Sequence, residues 1–316
     1  MSFKIKAIAA TAAVALSLGT LSSAQAAKRL VSPNADWTGG VVTCKVLYWI
    51  LENEMDYKIK QITMPSGPGV MEGIRAGDLD FACESWPSYS TTKDKYMTKW
   101  GGDGSVAYLG ETGVVGVSGY WVPRYMVEGD SARGIEATAP NLKSYEDLNQ
   151  YKDLFKSLES GDRGNLIGCP VAAWQCEDQQ RLDLLGVDFH AQALGSETAH
   201  WAELQAKYKR GEPFLAYAWA PHWIFAAMDL VEVALPPHDE EKWPATNWAK
   251  DITYNYGKPS LEQDHPEVFK LIMNQNLTNN QQAQMIYEVD VNKRDIDEVV
   301  DEWMAANKDI WAQWLP

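Results

Sequence analysis

Positive charge is scarce in this chain: 28 Lys and Arg stand against 43 Asp and Glu over 316 residues, a formal net charge of −15. Nucleic acids and anionic membrane surfaces are gripped through basic patches, so neither is an expected partner. Long apolar runs are missing after the first two dozen residues. No later segment approaches the roughly 18 uninterrupted apolar residues of a membrane span. Histidine is rare, at five residues, and the common catalytic signatures are absent. There is no Gly-x-Ser-x-Gly, no His-Glu-x-x-His and no Gly-Lys-Ser/Thr phosphate loop, so the chain is not read as an enzyme. Gly67, Gly69 and Gly73 resemble a dinucleotide loop only loosely, with the third glycine one place late and Pro68 intruding. No cofactor is implied.

Metal-ligand patterns are equally thin. The run from Asp290 to Asp297 lacks the glycine and spacing of a calcium loop and contains Lys293 and Arg294. No metal site is read there. His222 sits between Pro221 and Trp223, where it serves equally as an anion donor or as a satisfied core group.

What is present begins with an export signal. Lys4 and Lys6 precede an apolar run over 7–21, then Ala24-Gln25-Ala26 in the small-x-small form of a cleavage site. Residues 1–26 read as a removed signal peptide, which places the mature chain in the periplasm. About 290 residues remain, a length that usually folds as two domains with a cleft between them. Four cysteines, Cys44, Cys83, Cys169 and Cys176, form an even set in an oxidising compartment. Three pairings exist in principle. Loop closure favours Cys169 with Cys176, which leaves Cys44 and Cys83 as a second bridge or as two thiols.

Strand and helix signals alternate. A strand is expected over 28–34, a helix over 41–54, a strand over 57–64, a helix from 68 to 77 and a strand over 79–83. The stretch 105–117 crosses into a second domain, opened by the aromatic strand from Gly119 to Pro123. Capping boxes at Ser144 and Thr278 start helices, the first over 145–155. Strands are expected over 165–168, 189–194, 214–223 and 230–235, helices over 177–185, 197–208 and the amphipathic tail 296–314, and the stretch 243–259 reads as irregular. This alternation implies an α/β fold in which the chain leaves one sheet, builds another and returns. The boundaries are 27–116 with 225–316 for the first lobe, and 117–224 for the second. Crossover strands would hinge the lobes on a ligand.

The 14 tryptophans are the unusual part of the composition. Trp37, Trp86, Trp174 and Trp219 fall at or near strand ends, where open α/β sheets hold ligands. A box of indole faces suits a tetraalkylammonium group, which offers methyl contacts and charge but no strong hydrogen-bond donor. Packing in separate cores is the alternative for all four.

The segment Gly168-Cys169 through Trp174-Gln175-Cys176-Glu177, followed by Phe214-x-x-Tyr217-x-Trp219-x-Pro221-x-Trp223, resembles the glycine betaine/proline betaine-binding proteins of osmolyte ABC importers. The resemblance runs over the whole mature chain. It implies a two-lobed type II periplasmic binding protein, each lobe a mixed, mostly parallel sheet flanked by helices. It also implies an inner-membrane ABC permease as partner for a monomeric receptor. By the same resemblance Trp86 from the first lobe and Trp174 and Trp219 from the second form a cage, with Trp37 and Trp121 as additions from strand-end position. Betaine binders of this kind carry a His shortly after the first cage Trp, whereas this chain reads Pro87-Ser88-Tyr89-Ser90-Thr91. Glu84 lies two residues before Trp86, placed to accept from a ligand hydroxyl, attract a cation or share a proton with an N-oxide. It is otherwise an ordinary loop carboxylate. The expected ligand is a small methylated ammonium or amine oxide, trimethylamine N-oxide ahead of choline or glycine betaine. The rival from another class is a secreted carbohydrate hydrolase, which needs two carboxylates across the cleft, Glu84 and Glu111 being the pair to test.

Overall fold

The computed structural model describes residues 28–316. The expected signal peptide over 1–26 lies outside the described residues. The chain opens with β1 (Lys28–Asn34), which pairs in parallel with β2 (Tyr57–Thr63). Between them runs α1 (Thr38–Asn53), whose Val42, Val46, Leu47, Ile50 and Leu51 are buried. That spacing is one face of a 3.6-residue period, and no proline or internal glycine interrupts it after Gly40. Burying each of these aliphatics contributes about 1.5–3 kcal/mol. The face packs against two later helices, Asn279–Asp290 and Ile296–Ala306. Next come α2 (Pro68–Ala76), begun by a proline at its first position, and β3 (Phe81–Ser85).

Strand β4 (Ala107–Pro123) is 17 residues long. Its first half pairs antiparallel with β9 (Asp251–Gly257), which also pairs with β3. Its second half pairs antiparallel with β7 (Leu215–Ala220) and β8 (Leu230–Val233). Beyond β7, strand β5 (Gly164–Ile167) pairs in parallel with both β7 and β6 (Phe189–Gln192). The seven-stranded sheet is therefore mixed, while β1 and β2 form a separate parallel pair. All antiparallel pairings between these strands involve β4 or β9.

Two cores flank this junction. One gathers Leu47, Phe81, Leu109 and Leu271 with the C-terminal helices, extended by a cluster around Met71 and Tyr254. The other gathers Tyr120, Leu166, Phe189, Leu204 and Ile224. A two-lobed mixed α/β molecule results, with β4 passing through both lobes.

The structure departs from the sequence reading in three places. The stretch 243–259 is not all irregular: it contains β9, a central strand. Apart from the exposed Ile252, both faces of β9 are buried and the inward positions include Thr253 and Asn255, so the polar-apolar alternation is lost. Those polar groups are satisfied internally: Thr253 bonds Thr112 and the Val114 carbonyl, and Asn255 donates to Gln275. Second, the chain does not rejoin the first lobe at 225. Met228, Leu230, Val233 and Trp248 pack in the second core, because β8 adds to β4 there. Third, 145–155 is a string of short turns, Tyr145–Asp147, Leu148–Tyr151 and Lys152–Phe155, though the Ser144 capping box is present. The Thr278 capping box also forms.

Candidate functional site

Three strand ends and one strand bring the aromatic residues together where the lobes meet. Trp37 follows β1 and occupies the N-cap position of α1. Its ring folds back across the first helical turn, where Gly40 makes room: a Cβ there would sit 2.4 Å from the indole. Trp86 follows β3, and its ring lies against Gly116 of β4, whose hypothetical Cβ would fall 2.1 Å from it. Any side chain at 116 displaces the indole. Trp174 ends a short turn (Ala172–Trp174) inside the Cys169–Cys176 disulfide loop. The backbone at Gln175 and Glu177 is left-handed, at φ 59° and 57°, so the loop holds conformations that non-glycine residues seldom adopt. Trp219 stands on β7.

All four indoles line one cavity of about 90 Å³, together with Glu84, Tyr89 and Tyr217. That is a compact space, well below the roughly 300–1,000 Å³ of sites for larger ligands. Trp37 and Trp174 meet at 5.9 Å with planes 75° apart, and Trp174 and Trp219 at 5.6 Å and 81°. The rings form adjoining walls near right angles. Trp174 also donates its indole N–H to Asp36 at 3.0 Å, and Thr91 donates to Gln175 at 3.3 Å, so the lobes are in contact around the cavity.

The base of the Trp174 loop is fixed by a buried ionic group. Asp178 accepts the Cys169 N–H at 2.6 Å and the Tyr120 hydroxyl at 2.7 Å. Burial pushes its carboxyl above the ordinary range, and the neighbouring Arg181 pulls it back. Arg181 is itself fully buried, its guanidinium 3.6 Å from the centre of the Trp248 ring.

Glu84 is 1% exposed and has a left-handed backbone, φ 51°, at a bulge where the β3–β9 register shifts. A bulge re-aims its side chain inward. One carboxylate oxygen accepts the Trp86 indole N–H at 3.1 Å. The other accepts from the Thr43 hydroxyl and from Gln282 Nε2, the latter at 2.6 Å. Burial raises its carboxyl, the hydrogen bonds from Thr43, Trp86 and Gln282 lower it, and the balance stands at about 7. It is thus poised to act as an acid or as a carboxylate near neutrality.

Trp121 does not join this group. Its ring packs on Phe225 at 4.8 Å, outside the cavity lining. Glu111 is exposed on β4 and also outside the lining, so the carboxylate pair required by the hydrolase reading does not assemble. Both disulfides form, Cys169 with Cys176 and Cys44 with Cys83. Sequence reasoning missed Asp36, Thr43 and Gln282, which orient Trp174 and Glu84. Only Asp36 carried a signal, its position beside Trp37 at a strand end. Tyr217 was inside the Phe214-x-x-Tyr217-x-Trp219 motif without an assigned part.

Known proteins place this geometry in a family. The chain is 25% identical over 310 residues to the trimethylamine N-oxide-binding protein of Pelagibacter ubique, covering 93% of this chain and 92% of that one. In fold it is similar to the glycine betaine/L-proline-binding protein ProX of Borrelia burgdorferi, at TM-score 0.71, 18% identity and coverage of 92% and 97%. It is similarly close to lactococcal OpuAC in its closed, glycine betaine-bound form, at TM-score 0.68, 18% identity and coverage of 92% and 100%. These solved structures share the two-lobed fold of type II periplasmic binding proteins. Residues 28–306 match the family described as the substrate-binding domain of ABC-type glycine betaine transport systems, and the chain belongs to that family.

Proposed function

We propose that this protein captures trimethylamine N-oxide in the periplasm and delivers it to an inner-membrane ABC permease. The observation that carries the reading is the compact cavity walled by Trp37, Trp86, Trp174 and Trp219 with Glu84 at its edge. Each desolvated indole face contributes on the order of 0.5–2 kcal/mol to holding a methylated cationic centre. Glu84, with its carboxyl near 7, supplies a proton for the N-oxide oxygen. A betaine carboxylate would instead face a group with no spare positive charge, since the loop after Trp86 offers no histidine. The near full-length likeness to a trimethylamine N-oxide-binding relative points the same way.

Because walls come from both lobes, a ligand in the cavity favours the shut form over an open one. No covalent chemistry is part of this role, and release to the permease is a reopening of the lobes. Among the described residues no helix is long and apolar enough to cross a membrane. Calorimetric titration with trimethylamine N-oxide, choline and glycine betaine tests the reading. Tightest binding of trimethylamine N-oxide is expected. Tighter binding of glycine betaine would replace it with the betaine reading.

A further inference from the structure

Beside the cavity, but not lining it, a second group of polar residues joins the two lobes. Helix α1 starts at Thr38 with Trp37 in the N-cap position, and an indole offers no acceptor to the free N–H groups of the first turn. The acceptor comes from the other lobe. Glu197, first residue of the helix Glu197–Arg210, takes the Thr38 N–H on Oε2 at 2.7 Å. The Thr38 hydroxyl donates to Asp290 Oδ1 at 2.8 Å and lies 3.3 Å from the same Glu197 oxygen. Asp290 belongs to the first lobe, as the last residue of the helix Asn279–Asp290.

His222, from the second lobe, fills the gap between the two acids. Its Nε2 is buried, 3.4 Å from Glu197 Oε1 and 3.7 Å from Asp290 Oδ2. Its Nδ1 accepts the Ile224 N–H at 3.3 Å, which puts the ring proton on Nε2, facing both carboxylates. The same tautomer argues against a metal there, since a ligating Nε2 needs its hydrogen on Nδ1. Two indoles complete the group: Trp201 donates to Glu197 at 3.1 Å and Trp223 to Asp290 at 3.0 Å. Three of these contacts cross the lobe boundary, Thr38 to Glu197, Trp223 to Asp290 and His222 to Asp290. All three break when the lobes part.

We infer that Glu197, His222 and Asp290 form a closure clamp, a set of positioning residues that sets ligand affinity by holding the shut form without touching ligand. This rests on the reading above that the lobes shut around a ligand. The clamp is wired to the cavity on both sides. Thr38 follows Trp37 in sequence, and Trp201 stacks on His222 at 4.2 Å and also packs on Trp219 at 4.6 Å. Shutting the lobes caps α1 across the cleft and sets both walls together.

The test compares the wild-type mature protein with Glu197→Ala and Glu197→Gln by stopped-flow tryptophan fluorescence, using trimethylamine N-oxide, choline and glycine betaine. Losing a buried charge-assisted acceptor should raise the dissociation rate about tenfold or more for every ligand bound, with the association rate little changed. The ligand-free melting temperature should fall by much less than the affinity, because in the open form Glu197 keeps only its contacts within its own lobe, to Trp201 and His222. Glu197→Gln, which keeps an oxygen for Thr38 but sets its amide nitrogen against the Trp201 and His222 donors, should recover only part of the loss. Wild-type dissociation rates in Glu197→Ala, or equal falls in ligand-free stability and affinity, would overturn the clamp. Pulsed spin-label distances between the exposed Lys60 and Leu158, attached through non-cysteine chemistry, keep the two claims apart. If the wild type binds none of the three ligands yet shows a shut population that Glu197→Ala removes, the clamp stands and the ligand assignment falls. If it neither binds nor shuts, both fall.

Discussion

Trp174 donates its indole N–H to the Asp36 carboxylate at 3.0 Å, so a cavity wall carried by one lobe is aimed by an acid of the other. Replacing Trp174 by Ala should cost about 2 kcal/mol or more of binding, as for a central aromatic anchor. Replacing Asp36 by Ala leaves the indole in place but unaimed, at a cost of about 1 kcal/mol. Calorimetry with trimethylamine N-oxide checks both, and near-normal affinity in Trp174→Ala would remove the cage.

Gly116 touches Trp86 so closely that a methyl group has nowhere to go. Gly116→Ala should therefore push the indole off β4 and weaken binding at least about tenfold, the scale of a misplaced anchor. Folding should suffer less, since β4 keeps its ladder. Comparing affinity with the denaturation midpoint separates the two. A loss of stability with affinity intact would count against Trp86 as a wall.

Glu84 gives the protein a pH signature. Its carboxyl stands at about 7 against an ordinary 4.5, raised by burial against the pull of Thr43, Trp86 and Gln282. A group raised in the fold contributes stability that is complete below its unfolded value and is lost as pH climbs through the folded one. The ligand-free protein should thus lose stability between about pH 4.5 and 7 through this residue. Trimethylamine N-oxide, which accepts the acid's proton, should bind best below about 7 and weaken above it, whereas a permanent cation such as choline should show the opposite slope. Glu84→Gln should flatten both profiles in titrations across that range. Slopes unchanged by Glu84→Gln would assign the pH dependence to another group.

Arg181 and Asp178 hold the base of the Trp174 loop from inside the second lobe. Arg181→Met keeps the bulk over Trp248 but strands a buried carboxylate, which should cost roughly 3–5 kcal/mol. Adding Asp178→Asn removes the stranded charge and should return part of that loss. Urea unfolding of the single and double variants gives the coupling, and strict additivity would show that the two residues act independently.

Much of this architecture was legible in the residues. The 3.6-residue spacing in α1, the two capping boxes and the cysteine-framed Trp174 are local signals, and local signals survive into the fold. What escaped was non-local. β9 hides because Thr253 and Asn255 face inward and pair with residues more than a hundred positions away or on another element. Trp121 has the same strand-end aromatic character as the cavity residues, yet its ring packs on Phe225 of the short helix Ile224–Ala227. Thr43 and Gln282 are unremarkable on their helices until folding sets both against Glu84. The left-handed backbone at Glu84 leaves no trace in the sequence, since glutamate is not a residue that announces such a conformation.

The continuous run of β4 through both lobes has a further consequence for how the molecule is made. No cut separates the halves without severing a ladder that each needs, because Val115 and Gly116 pair with β9 while Val117 and Ser118 pair with β7. Neither half is a self-sufficient folding unit. Melting should accordingly proceed as one event rather than two, and a nascent chain must wait for β9 to arrive before the half begun first can be finished.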